Sequence, residues 1–310
     1  MTKFLTRAYG LEDAAAVAGL LNTISKAGGG DLELPAAAIA NVVNAEVQDL
    51  TSDTRVITDT DGELLAVGLV RLPPDGGFRV SLTGGVHPER RRLGIGRDLL
   101  AWQLSRAVER HAEVAPDRRW QAEVDAGVPD VSAIRMYERL GFIVERFFFE
   151  MSASITTPQT ASDIDGVRVV PYVADRQREL HAVQKAAFRG TWGYQERSFE
   201  SWAAMTVRSK TFVPDIARLA IADDEVVGYV LPYIDAPQAL YIGQVGTAPS
   251  WRRRGVASAL LAEVMGVASR SGYIKAALET DADSLSGASG VYQKAGFDIN
   301  HRIAVYRKPI

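Results

Sequence analysis

The strongest constraint on the fold is a stretch that the chain carries twice: Val86-His-Pro-Glu-Arg-Arg-Arg-Leu-Gly-Ile-Gly-Arg97, and Thr247-Ala-Pro-Ser-Trp-Arg-Arg-Arg-Gly-Val-Ala-Ser258. In each copy a β-like run stops at a proline, Pro88 or Pro249, which has no N–H to give to a ladder. A basic turn follows, and then an amphipathic run. The order predicts strand, anion-binding loop, helix. Two small residues spaced one apart, Gly94 and Gly96 in the first copy and Gly255 and Ala257 in the second, keep side chains off the start of the helix. The backbone N–H groups there can then converge on one anion, a diphosphate above all.

The spacing separates this loop from other phosphate binders. A Walker loop needs Gly-Lys-Ser/Thr, but Arg97 follows Gly96 and Ser258 follows Ala257; a dinucleotide fingerprint needs a third small residue where Leu99 and Leu260 stand. What remains, Arg91-x-x-Gly94-x-Gly96 and Arg252-x-x-Gly255-x-Ala257, resembles the acetyl-coenzyme A signature of the GNAT acetyltransferase superfamily. Downstream of each copy, Ala133-Ile-Arg-Met-Tyr137-Glu-Arg-Leu-Gly141-Phe142 and Ala288-Ser-Gly-Val-Tyr292-Gln-Lys-Ala-Gly296-Phe297 resemble the helix on which these enzymes carry a tyrosine. The order agrees in both halves. A tandem layout with an aromatic Trp-Gly loop in the second half is similar to the mycothiol synthase-like tandem acetyltransferases of actinobacteria.

The resemblance implies an α/β (α+β) chain of two GNAT folds, each a mixed, splayed central sheet flanked by helices, with pantetheine entering the splay. The expected boundaries are an N-terminal domain 1–151, a polar linker 152–166 and a C-terminal domain 167–310. Length agrees, since 310 residues at 47% hydrophobic content suffice for two cores. A net charge of -3 argues against nucleic acid or an anionic membrane as the main partner. The absence of cysteine excludes disulfides and a cysteine nucleophile, and four scattered histidines point to no metal site. The start of the chain lacks a signal-peptide core and no run reaches about 20 apolar residues. A cytoplasmic chain, monomer or homodimer, is expected.

Along the first half, strands are expected at 4–9, 54–59, 64–72, 78–86 and 119–124. Helices are expected at 11–21, 36–47 and 97–109, the last with Leu99, Leu100, Leu104 and Val108 inward. Gly84-Gly85 suggests a bulge. The second half restarts at 167–172, has helices at 177–188 and 253–271, and strands at 217–222, 226–233, 240–248 and 274–280. The aromatic run between Trp192 and Trp202 reads as packing for most of its rings, with a partly open acceptor wall as the functional alternative.

The cofactor set expected for acetyl-coenzyme A is Val86, Arg91, Arg92, Leu93, Gly94, Ile95, Gly96 and Arg97, with Thr247, Arg252, Arg253, Arg254, Gly255, Val256, Ala257 and Ser258 in the second half. Acetyl transfer to an amine needs a neutral nucleophile and a proton for the departing thiolate. Tyr137 and Tyr292 are the expected proton donors, because a phenol stays protonated at neutral pH. Backbone N–H near Val86 or Thr247 can polarise the thioester carbonyl. The acetyl-side strands contain no carboxylate, Gln244 being the nearest mimic, so Glu123, Asp125, Glu279 and Asp281 are the candidate bases. The leading function is acetylation of a small-molecule amine in a ternary complex; a silent acetyl-coenzyme A binder and a protein or peptide acetylator are the alternatives. The aromatic loop, with the resemblance, points to the C-terminal half as the working one.

Overall fold

A computed structural model describes residues 4–31, 33–74, 77–155, 163–284 and 287–310. The chain divides into two compact units, one formed by Met1–Phe148 with His301–Ile310, the other by Phe149–Asn300.

The first unit runs β1 (Leu5–Arg7), α1 (Ala14–Ala27), α2 (Ala36–Glu46), α3 (Leu50–Asp53), β2 (Thr54–Thr58), β3 (Leu64–Arg71), β4 (Arg79–Val86), α4 (Ile95–Val114), β5 (Gln121–Gly127) and α5 (Val131–Arg139), and enters β6 (Ile143–Ser154). Strands β1 to β4 are antiparallel neighbours in chain order, and β5 lies parallel to β4. The turn from β2 to β3 is held by the Asp59 carboxylate, which accepts N–H bonds from Asp61 (3.0 Å) and Glu63 (2.9 Å). One sheet face packs on α1 and α2 through Val17, Leu20, Val43, Val67 and Leu69; the other packs on α4 through Leu82, Leu100, Ala122 and Val124. Of the residues expected inward on α4, Leu99 and Leu100 are buried but Val108 is 49% exposed, because Gln103 and Ala107 take the core-facing stripe. Asp53 is fully buried, and two arginines of α4 hold it, Arg106 at 2.8 Å and Arg110 at 2.7 Å.

The second unit takes the end of β6, then β7 (Arg168–Pro171), α6 (Gln177–Phe188), α7 (Phe199–Met205), β8 (Arg218–Ala222), β9 (Glu225–Ala236), β10 (Ala239–Thr247), α8 (Val256–Arg270), β11 (Lys275–Asp281) and α9 (Ala288–Lys294), and leads into β12 (Asp298–Pro309). Its strand order is β7-β8-β9-β10-β11, with β6 beside β11. Asp223 and Asp224, at φ +48° and +60°, make the two-residue turn from β8 to β9, a conformation that carboxylate and amide side chains tolerate. Val256, Leu260, Leu261, Val264, Met265 and Ala268 form a helix-spaced stripe of α8 buried on one sheet face, worth roughly 1.5–3 kcal/mol for each large side chain. The opposite face packs on α6 and α7 through Leu180, Trp202, Leu219 and Tyr229.

The unit boundaries differ from those expected at the chain's end. β12 pairs antiparallel with β5, from Ile303 opposite Gly127 to Pro309 opposite Gln121, so the last strand completes the first unit. Ala304 and Tyr306 join the cluster under α4, and Arg307 donates to Glu123 at 2.8 Å. The expected linker 152–166 begins inside β6, and its residues 156–162 lie outside the described residues.

Candidate active sites

The two basic loops have one geometry. After a short turn at Pro88–Arg90 or Pro249–Trp251 the backbone is extended at Arg91 and Arg252, then left-handed at Arg92 (φ +65°) and Arg253 (φ +61°). It is left-handed again at Gly94 (φ +85°) and Gly255 (φ +87°), the residues that precede α4 and α8. A positive φ on an arginine costs about 1–2 kcal/mol, and its recurrence at matched places marks a loop held for use. Neither helix start is capped by a side chain. The first bonds running back to the capping glycines come from Asp98 to Gly94 (3.1 Å) and from Ala259 to Gly255 (3.0 Å). The N–H groups of Ile95, Gly96 and Arg97, and of Val256, Ala257 and Ser258, therefore precede the helical ladder, in the arrangement that suits a diphosphate. A Cβ at Gly96 would meet Val86 Cγ2 at 3.4 Å, so the first turn also fits tightly against the end of β4.

The arginine side chains are mostly spent on the protein. Arg91 pairs with Asp130 (3.2 Å), the residue that caps α5, and Arg252 donates to the carbonyl of Ala187 at the end of α6 (2.6 Å). Arg97 pairs with Asp98 at 2.9 Å, and Arg254 lies over the Trp251 ring at 4.7 Å. Arg92 and Arg253 are exposed, as is Leu93.

Each sheet splays where the loops begin. β4 and β5 pair only from Arg79 with Gln121 to Ser81 with Glu123, although β4 runs on to Val86; β10 and β11 pair only from Ala239 with Lys275 to Tyr241 with Ala277, although β10 runs on to Thr247. The bulge expected at Gly84-Gly85 is not there: β4 keeps unbroken register with β3 from Ser81 to Val86. Gly84 is needed for another reason, since its φ is +139° and a Cβ would fall 2.0 Å from the Val67 carbonyl oxygen. The irregularity lies in the second unit, where the pairing of β10 with β9 skips a residue between Ile242 and Gln244.

Both tyrosines come to these crotches and differ there. The Tyr137 hydroxyl donates to the carbonyl of Asp125 at 3.1 Å, and its ring lies tilted against those of Phe142 and Tyr306. Tyr292 packs against Phe297 at 6.2 Å, and among the described residues its hydroxyl has no hydrogen-bond partner. Burial raises both phenols, that of Tyr292 up to about 12, so both hold their protons at neutral pH.

The four candidate bases also separate. Glu123 is held by Arg79 (3.4 Å) and Arg307 (2.8 Å), a structural ion network. Asp125 is the next residue on the same face of β5, past the last pair with β4; desolvation at the crotch, and then the charge of Glu123, raises its carboxyl. Glu279 occupies the matching place on β11, one step past Ala277, and is exposed. Asp281 is partly turned inward, accepting the N–H of Asp283 at 3.0 Å. Among the described residues no group of three or more histidine, aspartate or glutamate side chains could hold a metal.

Sequence reasoning missed Tyr229 and Tyr233, which line the second crotch beside Gln244 and Thr247. Tyr229, fully buried, donates to Gln244 Oε1 at 3.2 Å, which fixes that amide on the open side of β10. The hydroxyls of Tyr194, Tyr233 and Thr247 are buried without a hydrogen-bond partner. A sequence signal existed for both tyrosines, since Tyr229 and Tyr233 alternate on one strand face, and Tyr194 lies in the aromatic loop already singled out. Within that loop and the helix after it, Trp202 is 2% exposed, and His181 sits between Phe199 (5.8 Å) and Trp202 (5.2 Å); these rings are packing. In the first unit the corresponding loop closes on the protein: a Cβ at Gly127 would meet the Gly28 carbonyl at 2.8 Å and His301 Nε2 at 2.5 Å.

Comparison with known proteins follows the same division. Residues 178–297 match the acetyltransferase (GNAT) family, and residues 53–144 match an acetyltransferase (GNAT) domain. The mycothiol acetyltransferase of Corynebacterium efficiens is 25% identical over 227 residues, 72% of either chain. A GCN5-related N-acetyltransferase from Sphaerobacter thermophilus superposes with a TM-score of 0.80 at 28% identity, covering 99% of this chain and 95% of its own. A tandem GNAT protein from the clavulanic acid biosynthesis pathway superposes at 0.74 with 15% identity, covering 99% and 98%, a likeness of fold.

Proposed function

Because the chain belongs to the GNAT acetyltransferase family, with a GNAT domain in each half, and is an N-acetyltransferase, we propose that its C-terminal domain acetylates a small-molecule amine while its N-terminal domain binds acetyl-coenzyme A and supports it. GNAT folds bind acetyl-coenzyme A, and the chain's own geometry suits that ligand: two uncapped helix starts behind left-handed loops, each beside a splay. The N–H groups of Ile95 to Arg97 and of Val256 to Ser258 hold the diphosphate in this reading, and the splays take the pantetheine arm.

Acetyl-coenzyme A supplies an acetyl group activated as a thioester. The protein's part is to place the amine beside it, take a proton from the ammonium and keep one ready for sulfur. Glu279, past the last paired residue of the splay, takes the ammonium proton through water. Tyr292 Oη holds the proton for the departing sulfur, and the backbone N–H of Thr247 is the donor nearest the thioester carbonyl. Both substrates are bound at once and no covalent enzyme intermediate forms. The mycothiol acetyltransferase relative supports a small-molecule acceptor, and the comparisons favour neither a silent binder nor a protein acetylator. A monomeric or homodimeric chain in the cytoplasm completes the reading; among the described residues no helix is long and apolar enough to cross a membrane.

The observation that carries this reading is the uncommitted Tyr292 hydroxyl, set against the Tyr137 hydroxyl bound to Asp125. The test is coenzyme A release over a panel of amines. Tyr292→Phe is expected to lower kcat by about 10- to 1000-fold and Tyr137→Phe to leave it within a few-fold. The reverse pattern assigns the chemistry to the N-terminal domain.

A further inference from the structure

The acceptor side of the C-terminal unit holds a polar side chain that the proposed transfer does not use. β10 turns Leu240 and Ile242 into the cluster under α8; after its irregular step it turns Val245 the same way, so Gln244 and Gly246 face the side of α6, α7 and Tyr229. The Tyr229 ring lies across Gly246, where a Cβ would come within 2.4 Å of its Cε1, and its hydroxyl donates to Gln244 Oε1 at 3.2 Å. Tyr229 is fully buried, so this bond sets which way the amide points. The amide oxygen is taken and the N–H groups are not: among the described residues Gln244 makes no other hydrogen bond, and it is partly exposed.

Register brings this amide to the reacting groups. β10 and β11 last pair at Tyr241 and Ala277. Glu279 lies two residues on, on the face away from Ala276 and Leu278; Gln244 lies three residues on, one of them spent on the irregular step. The two stand level on either side of the splay.

The first unit lacks this arrangement. Aligning Val86-His-Pro88 with Thr247-Ala-Pro249 sets Thr83 against Gln244, Gly85 against Gly246, and Val67, the residue opposite Gly85, against Tyr229. The Thr83 hydroxyl accepts from Arg71 at 3.0 Å, and Ile24 Cδ1 lies 3.0 Å from where a Cβ on Gly85 would stand. A tyrosine-held amide replaces apolar packing in the unit to which the acceptor is assigned.

Resting on the proposed transfer site, we propose that Gln244 selects the acceptor: its amide N–H, aimed by Tyr229, donates to an oxygen that the acceptor carries beside its reacting amine. The target must accept a hydrogen bond. The reacting nitrogen needs its lone pair for the thioester carbon, and a second ammonium has none to offer. A hydroxyl or carbonyl oxygen meets that need, whereas an alkyl chain leaves the amide unmet. Gln244 stays neutral throughout, and Tyr229 is a positioning residue that acts through it. One C–N bond forms, one C–S bond breaks, and the reacting ammonium loses two protons, one ending on sulfur and one in solvent.

The test compares coenzyme A release from 2-aminoethanol and glycinamide with release from n-propylamine, beside calorimetry of the same amines on protein saturated with coenzyme A. Gln244→Glu keeps an oxygen for Tyr229 but has no N–H to donate. The ratio of kcat/KM for an oxygen-bearing amine to that for n-propylamine should be about 10-fold higher in the parent than in Gln244→Glu, the worth of one well-placed hydrogen bond. Comparing ratios cancels the basicities of the amines. Tyr229→Phe should lower the ratio in the same direction by about threefold; should that buried change not be tolerated, Gln244→Glu, at a partly exposed position, carries the test. A preference lost by either oxygen-bearing amine supports the inference and shows whether the oxygen is a hydroxyl or a carbonyl. Ratios unchanged in Gln244→Glu, or a variant that lowers all three amines alike, would overturn it. Release from the amines with unchanged ratios leaves the proposed activity standing and sinks this role for Gln244. Glycinamide binding that Gln244→Glu weakens about 10-fold, with no release from any amine, does the opposite, and neither binding nor release sinks both.

Discussion

Tyr137 and Tyr292 occupy the same place in the two repeats, yet the hydroxyl of the first donates a hydrogen bond to the Asp125 carbonyl at 3.1 Å and that of the second donates to no group among the described residues. The repeat made both residues visible in the sequence. Which of them is committed was not legible, because the partner is a backbone carbonyl whose position depends on where the strands part. Burial raises Tyr292 up to about 12, and this has two consequences for pH. As the proposed donor it stays protonated through neutral and mildly alkaline pH, so kcat should show no loss from this group until about pH 11. The fold also prefers the neutral phenol: its contribution to stability is complete below the ordinary value of 10.0 and is lost as pH rises through about 12. Thermal melting between about pH 10 and 12 should therefore fall less steeply in Tyr292→Phe than in the parent chain. The bases divide by the same kind of contact. Glu123 lies in a strand as promising in sequence as that of Glu279, but Arg307, 184 residues away, reaches it at 2.8 Å; no local pattern announces such a partner.

At the scale of elements, the repeated motif made the loop and the helix start legible because both follow from local chemistry: proline ends a strand, and glycine allows the left-handed step. Gly94→Val and Gly255→Val would each force a β-branched residue into φ near +85°. Each should remove one acetyl-coenzyme A site from a calorimetric titration while leaving the other. The bulge was misplaced because a Gly-Gly pair signals close approach as well as bulging. At Gly84 it is the Val67 carbonyl that excludes a side chain. The helix carrying Tyr292 begins at a glycine of φ +70° and has Gly290 inside it with open space around the missing Cβ. Gly290→Ala should raise stability by about 0.5–1 kcal/mol, seen as a higher denaturant midpoint with an unchanged slope.

For the whole molecule, two repeats of one fold were legible from the duplicated motif, but the destination of the last strand was not. The run Ile303-Ala304-Val305-Tyr306 reads as a strand of some sheet, and only the open edge of β5 decides which. A chain ending at Asn300 loses that pairing together with the burial of Val305 and Tyr306, about 4 kcal/mol from those side chains alone. It should bind one equivalent of acetyl-coenzyme A where the full chain is proposed to bind two, and should show a separate low-temperature melting step. The central claim is that both domains bind acetyl-coenzyme A but only the C-terminal one transfers the acetyl group. Rapid quenching tests it most directly: protein loaded with two equivalents of labelled acetyl-coenzyme A is mixed with a competent amine, and acetylated product is counted in the first turnover. One acetyl group per chain in the fast phase, with the second following only as cofactor exchanges between sites, is the predicted result; two groups transferred at the same fast rate would contradict it.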